Sequence, residues 1–167
     1  MSEVSASTRR FRTGWTALAR AVGRGTAGSG RWRGPLLLVD PDGSEPPLAA
    51  VDIACRLVPP GGVLHVLAPV RLPLSVPLEA PPGEETERAA AALHQIERLA
   101  GQAGVAVSGH LCRGRTVRVM LHQVVGQVGA DVVVIQAAPE RLLALAEEVA
   151  PAQAVLLPDI PAGGQRN

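Results

Sequence analysis

From residue 35 onward, short apolar runs alternate with stretches whose apolar positions recur at helical spacing. Leu36, Leu37, Leu38 and Val39 form an unbroken run that predicts a buried strand over 36–40. The polar turn Asp40-Pro41-Asp42-Gly43-Ser44-Glu45-Pro46-Pro47 comes next, and Leu48, Val51, Cys55 and Val58 then mark one face of a first helix. Ser44 suits the N-cap of that helix, Glu45 its first turn, and prolines are tolerated there. Pro59-Pro60-Gly61-Gly62 ends it, and 63–68 reads as strand 2. Prolines at 69, 73, 77, 81 and 82 predict an extended surface loop across 69–83.

The second half repeats the alternation. A helix over 84–103 turns Ala89, Leu93, Ile96 and Ala100 inward, and Gly104 precedes strand 3 at 105–113. Gly114 leads into a third helix carrying Val117, Leu121, Val124 and Val128 on one side, which Gly129 terminates. Strand 4 spans 132–136, Leu142, Leu145 and Val149 mark a fourth helix, and 154–157 is a short last strand. Five strands alternating with four helices predict a three-layer α/β domain: a parallel sheet covered on both faces. Strands 1 and 4 suit its centre. Strand 5, followed by Pro158, suits an edge.

Composition divides the chain. Residues 1–34 carry seven arginines against Glu3, whereas 35–167 carry nine against fourteen acids. The first segment reads as a basic flexible tail. Phe11, Trp15, Leu18 and Val22 allow a short amphipathic helix within it, weakened by Gly14 and Gly23, and residues 25–30 resemble a linker. Its two readings are a disordered tail or over-long start, and a segment, over 9–33, that docks on a protein partner, an anionic membrane surface or, without sequence specificity, nucleic acid. The domain is expected over 35–160, with 161–167 a C-terminal tail. No apolar run approaches the roughly 18–20 residues of a membrane span, and no secretory signal is visible. A soluble, cytoplasmic protein is expected.

All sixteen basic residues are arginine, and there is no lysine or tyrosine. Schiff-base chemistry, a P-loop ATPase and a phospho-receiver domain each need a lysine and are excluded. Cys55 and Cys112 read as buried reduced thiols, with a disulfide or redox pair as the alternative. The four histidines sit on separate elements without metal-ligand spacing, and His65 is expected to be packed and hydrogen-bonded in the sheet layer. No Ser-His-Asp ordering, GxSxG elbow or HxGH signature occurs. No enzyme, metal or specific nucleic-acid partner is expected.

Across about 35–158 the chain resembles the universal stress protein family, a branch of the adenine-binding α/β folds. The residues carrying this are Leu37-Leu38-Val39 followed by Asp42-Gly43-Ser44-Glu45-Pro46, then Leu64-His65-Val66-Leu67 in strand 2. Gly104-Val105, Gly114 and Ala130-Asp131-Val132-Val133-Val134-Ile135 continue the series. The resemblance implies a doubly wound, Rossmann-like five-stranded sheet of order 3-2-1-4-5. It also implies a role in stress adaptation and a homodimer through the last strand.

Nucleotide-binding members of that family follow strand 4 with a glycine-rich loop: Gly, two residues, Gly, nine residues, then Gly with Ser or Thr. Such a loop aims backbone N–H groups at phosphates. Here strand 4 continues as Gln136-Ala137-Ala138-Pro139-Glu140-Arg141, with no glycine between Ala130 and Pro161. Charge-assisted hydrogen bonds contribute about 1.5–3 kcal/mol each. Three of them rival the roughly 8 kcal/mol of an entire micromolar site. Glu140 would repel phosphate, with Arg141 a partial offset.

A non-catalytic regulatory or binding module with lost or weak ATP binding is therefore expected, with no cofactor, adenine nucleotides being disfavoured. An adaptor recruited by the basic segment is the alternative, and a nucleotide hydrolase a weaker one. A vestigial adenine-side pocket would comprise Asp42, Ser44, Leu67, Gly114 and Gln136. Asp42 either bonds an adenine or ribose at the sheet mouth or simply fixes the turn. Ser44 either caps the helix or touches the ligand. Asp40 closes strand 1, and Arg113 and Arg115 are either solvated or face an anion.

Overall fold

The computed structural model describes residues 33–43, 46–150 and 152–159, so the expectations for the basic segment, Ser44, Glu45 and the C-terminal tail lie outside it. The elements are β1 (Pro35–Val39), α1 (Leu48–Leu57), β2 (Val63–Arg71), α2 (Glu84–Gln102), β3 (Ala106–Gly114), α3 (Val117–Val128), β4 (Val132–Ala137), α4 (Pro139–Val149) and β5 (Ala154–Pro158). Every strand pair is parallel, and the sheet order is β3-β2-β1-β4-β5. α1 and α2 pack together on one face, α3 and α4 on the other. None of these helices is long and apolar enough to cross a membrane.

Alternation in β1 feeds both layers. Leu36 and Leu38 join Leu67, Val117, Leu121, Val124, Ile135, Leu145 and Val149 in the core beneath α3 and α4. Leu37, also fully buried, is the intervening residue and belongs to the other face. Complete burial of a leucine contributes about 1.5–3 kcal/mol, which explains why β1 tolerates no polar residue before Asp40. α3 starts with the Thr116 side chain accepting the Val119 N–H at 3.3 Å. It ends at Gly129, whose left-handed φ of 68° lets its N–H reach the Val125 carbonyl. Glu84, Glu85 and Glu87 in the first turn of α2 complement its dipole in place of a side-chain cap.

The structure corrects three local expectations. α1 begins only at Leu48, with Pro47 at the N-cap and no side-chain cap bond, later than the start expected directly after residue 44. Its buried face comprises Ala50, Val51, Ile53, Ala54 and Leu57, while Leu48 is 56% exposed. Two alanines there let the helix lie close to the sheet. Finally, β2 does not stop at 68: Pro69, Val70 and Arg71 remain paired with Cys112, Arg113 and Gly114 of β3. The β1 pairing ends at Leu67, so this overhang is flanked on one side only. A proline there interrupts at most an unpaired edge.

Candidate functional site

In a sheet of this order the chain leaves β1 towards β2 and later crosses back to β4, so the loops after β1 and β4 diverge above their carboxyl ends. A cleft of about 600 Å³ opens there. One bank is the turn after β1, with Asp40, Asp42 and Pro47. The other is the β2 overhang together with Glu85, Arg88, Ala89 and Gln95 of α2. Gln136 and Asp159 lie at the β4 end.

Asp40 organises the turn. Its side chain is buried, its Oδ1 accepts the Asp42 N–H at 3.1 Å, and its carbonyl accepts the Gly43 N–H at 3.1 Å. The same carboxylate is gripped by Arg141: Nη2 donates to Oδ1 at 2.9 Å and Nε to Oδ2 at 3.3 Å. This two-pronged geometry is the strong form of a guanidinium–carboxylate pair. The Arg141 pKa is raised above its ordinary value: the hydrogen bond to Asp40 is the largest cause, desolvation opposes it, and the charges of Asp40, Asp42 and Glu148 add to it. Asp40 thus does more than close β1, and it takes the turn-fixing role assigned to Asp42.

Asp42 is instead a shared anion. Its Oδ2 forms an ion pair with Arg141 Nη2 at 2.8 Å and accepts a hydrogen bond from Arg71 Nη2 at the end of β2. The start of α4 offers little to any other anion. Pro139 at the first helical position has no N–H, and the amides of Arg141 and Leu142 both donate to the Ala138 carbonyl.

Gln136 has both ends of its amide engaged. Oε1 accepts the Ala50 N–H at 2.9 Å, an otherwise unpaired donor in the first turn of α1, and Nε2 donates to Asp159 Oδ1 at 2.6 Å. It supplies the cap that Pro47 cannot. Of the five residues expected to form the pocket, Asp42 and Gln136 line the cleft. Leu67 is fully buried in the core, and Gly114 packs against Met120. Ser44 lies outside the described residues.

Sequence reasoning missed Arg71 as a member, and saw Arg141 only as a counter-charge to Glu140. The available signal was a cation in the first turn of α4, where the helix dipole disfavours it unless an acid is at hand. Arg115 lines the cleft but spends Nη1 on the carbonyls of Leu72 and Pro73. Arg113 does not line it, and its buried Nε has no hydrogen-bond partner. His65 Nδ1 and His110 Nε2 sit 3.3 Å apart across β2 and β3, away from the cleft. Burial first, then the neighbouring His110, lowers the His65 pKa. Among the described residues, no three His, Cys, Asp or Glu side chains converge as a metal site would require.

No protein-family model and no curated protein matches this chain. Solved structures do. The universal stress protein from Archaeoglobus fulgidus in complex with dAMP aligns with a TM-score of 0.57 at 18% identity, covering 74% of this chain and 96% of that one. Another structure of universal stress protein from the same organism gives 0.57 at 16% identity, with 75% and 93% covered. A universal stress protein in complex with cAMP gives 0.54 at 17% identity, with 77% and 98% covered. Strand order, parallel pairing and helix placement agree: the chain has the fold of the universal stress proteins.

Proposed function

We propose that the chain is a divergent universal-stress-protein-like domain, acting in stress adaptation in the cytoplasm as a binding or regulatory module without catalysis. The fold supports the class, and the structural neighbours in complex with dAMP and cAMP support reading the cleft as ligand-accepting. Weak or lost ATP binding rests on one observation. At the start of α4 Arg141 is already paired with Asp40 and Asp42, Pro139 has no N–H, and the Arg141 and Leu142 amides are spent on the Ala138 carbonyl. Cys55 and Cys112, both free thiols, agree with a reducing compartment.

Calorimetric titration of ATP into the full chain tests this reading. No saturable isotherm is expected in the micromolar range, and a clear one overturns it. The module is also proposed to pair through β5. That strand has one bonded flank, and Leu156 on it is 40% exposed. An open edge of this kind accepts a second strand. Sedimentation equilibrium should give twice the chain mass, and Leu156→Arg should reduce it.

A further inference from the structure

Two guanidinium groups meet on one oxygen in the cleft. Arg141, in the first turn of α4, and Arg71, at the end of β2, both form ion pairs with Oδ2 of Asp42. The two arginines come from different layers of the fold, and Arg141 does not need Asp42 to hold its place. Arg141 is fixed by its two-pronged bond to buried Asp40, and the backbone of Arg71 is anchored by a strand position paired with Gly114. Asp42 lines the cleft and Arg141 does not, so the carboxylate stands between the open space and that charge. Convergent guanidinium donors suit a phosphate oxygen as well as a carboxylate.

We infer that Arg71 and Arg141 form a phosphomonoester site in which the Asp42 carboxylate is the resident occupant, an internal competitor to the ligand. The inference rests on the reading of the cleft as a binding site and explains one part of its weak phosphate affinity. A tethered carboxylate competes at an effective concentration on the order of millimolar. A phosphate must displace it before reaching either arginine. Removing the carboxylate should therefore strengthen binding, whereas a ligand held by Asp42 itself would be weakened by the same change.

The test is calorimetry on the full chain with inorganic phosphate, AMP and adenosine as separate titrants. Asp42→Asn should bind AMP at least tenfold more tightly than the parent chain while adenosine is unaffected. Asp42→Ser, which keeps a turn-forming residue, should do the same and guards against a folding defect in the first variant. Adding Arg71→Gln to Asp42→Asn should abolish the gain. Glu85→Gln, which removes an equal charge from the cleft wall but is an ion-pair partner of neither arginine, should give none. Equal gains for phosphate and AMP would make the free anion a sufficient ligand, and a larger gain for AMP would assign the site to nucleotides. No gain in either Asp42 variant, or an equal gain in Glu85→Gln, overturns the inference. Micromolar ATP binding by the parent chain would instead overturn the functional reading, so the two failures are separable.

Discussion

The buried carboxylate of Asp40 holds the guanidinium of Arg141 by two donors, closing a loop of 101 residues between the end of β1 and the start of α4. Breaking a buried pair by removing one member costs about 3–5 kcal/mol. Arg141 is a third exposed, so solvent screening brings the cost below that range. Asp40→Ala and Arg141→Met should each destabilise by about 2–3 kcal/mol in urea unfolding. In the double variant the losses should fall short of additive by about 1–3 kcal/mol. Full additivity would mean the two side chains do not act as a pair.

Gln136→Leu should destabilise the fold by about 1–3 kcal/mol, because it orphans the Ala50 N–H and one bond of Asp159 together. Hydrogen exchange locates the effect. Faster exchange at the start of α1 is expected, and unchanged protection there would remove Gln136 from its capping role.

The lowered pKa of His65 has a definite sign. An unfolded chain protonates this imidazole near its ordinary value of about 6.5, while the folded chain resists. The unfolded state then binds more protons, so stability is intact above about pH 6.5 and declines as pH falls below it. The thermal midpoint should drop from pH 7 to pH 5, before most carboxylates titrate, and His65→Gln should flatten that slope. An equally steep slope in the variant would place the titration elsewhere.

Burial raises the Cys112 thiol, and burial together with the Asp52 charge raises Cys55. The thiolate is the reactive form. Both cysteines should therefore label with a disulfide reagent at pH 7.5 much more slowly in the folded chain than in urea. Rapid labelling of either in native buffer would contradict this.

Much of the architecture was written locally. The unbroken run in β1 and the Val-rich β4 announced central strands, and glycines 104 and 129 punctuated α2 and α3 as expected. Two local rules failed for physical reasons. Prolines after residue 68 read as a loop, yet Pro69 sits in a strand because β1 has already ended beside it. Counting large apolar residues placed Leu48 inward, whereas the helix buries Ala50 and Ala54 against the sheet.

The site was legible only on one bank. A polar turn directly after a buried strand pointed to Asp42, but no spacing rule links Asp40 to Arg141 or Asp42 to Arg71. Such partners are chosen by topology, since the sheet order alone brings α4 beside the β1 turn.

The overhang of β2 has a consequence for how the cleft would receive a guest. Its 69–71 segment is laddered to β3 and continued by the Leu72 N–H bonding the Gly114 carbonyl at 2.8 Å. That side is a preformed jaw. Entropy lost on docking would be confined to the opposing jaw and the visitor itself, which favours fast capture with little reshaping.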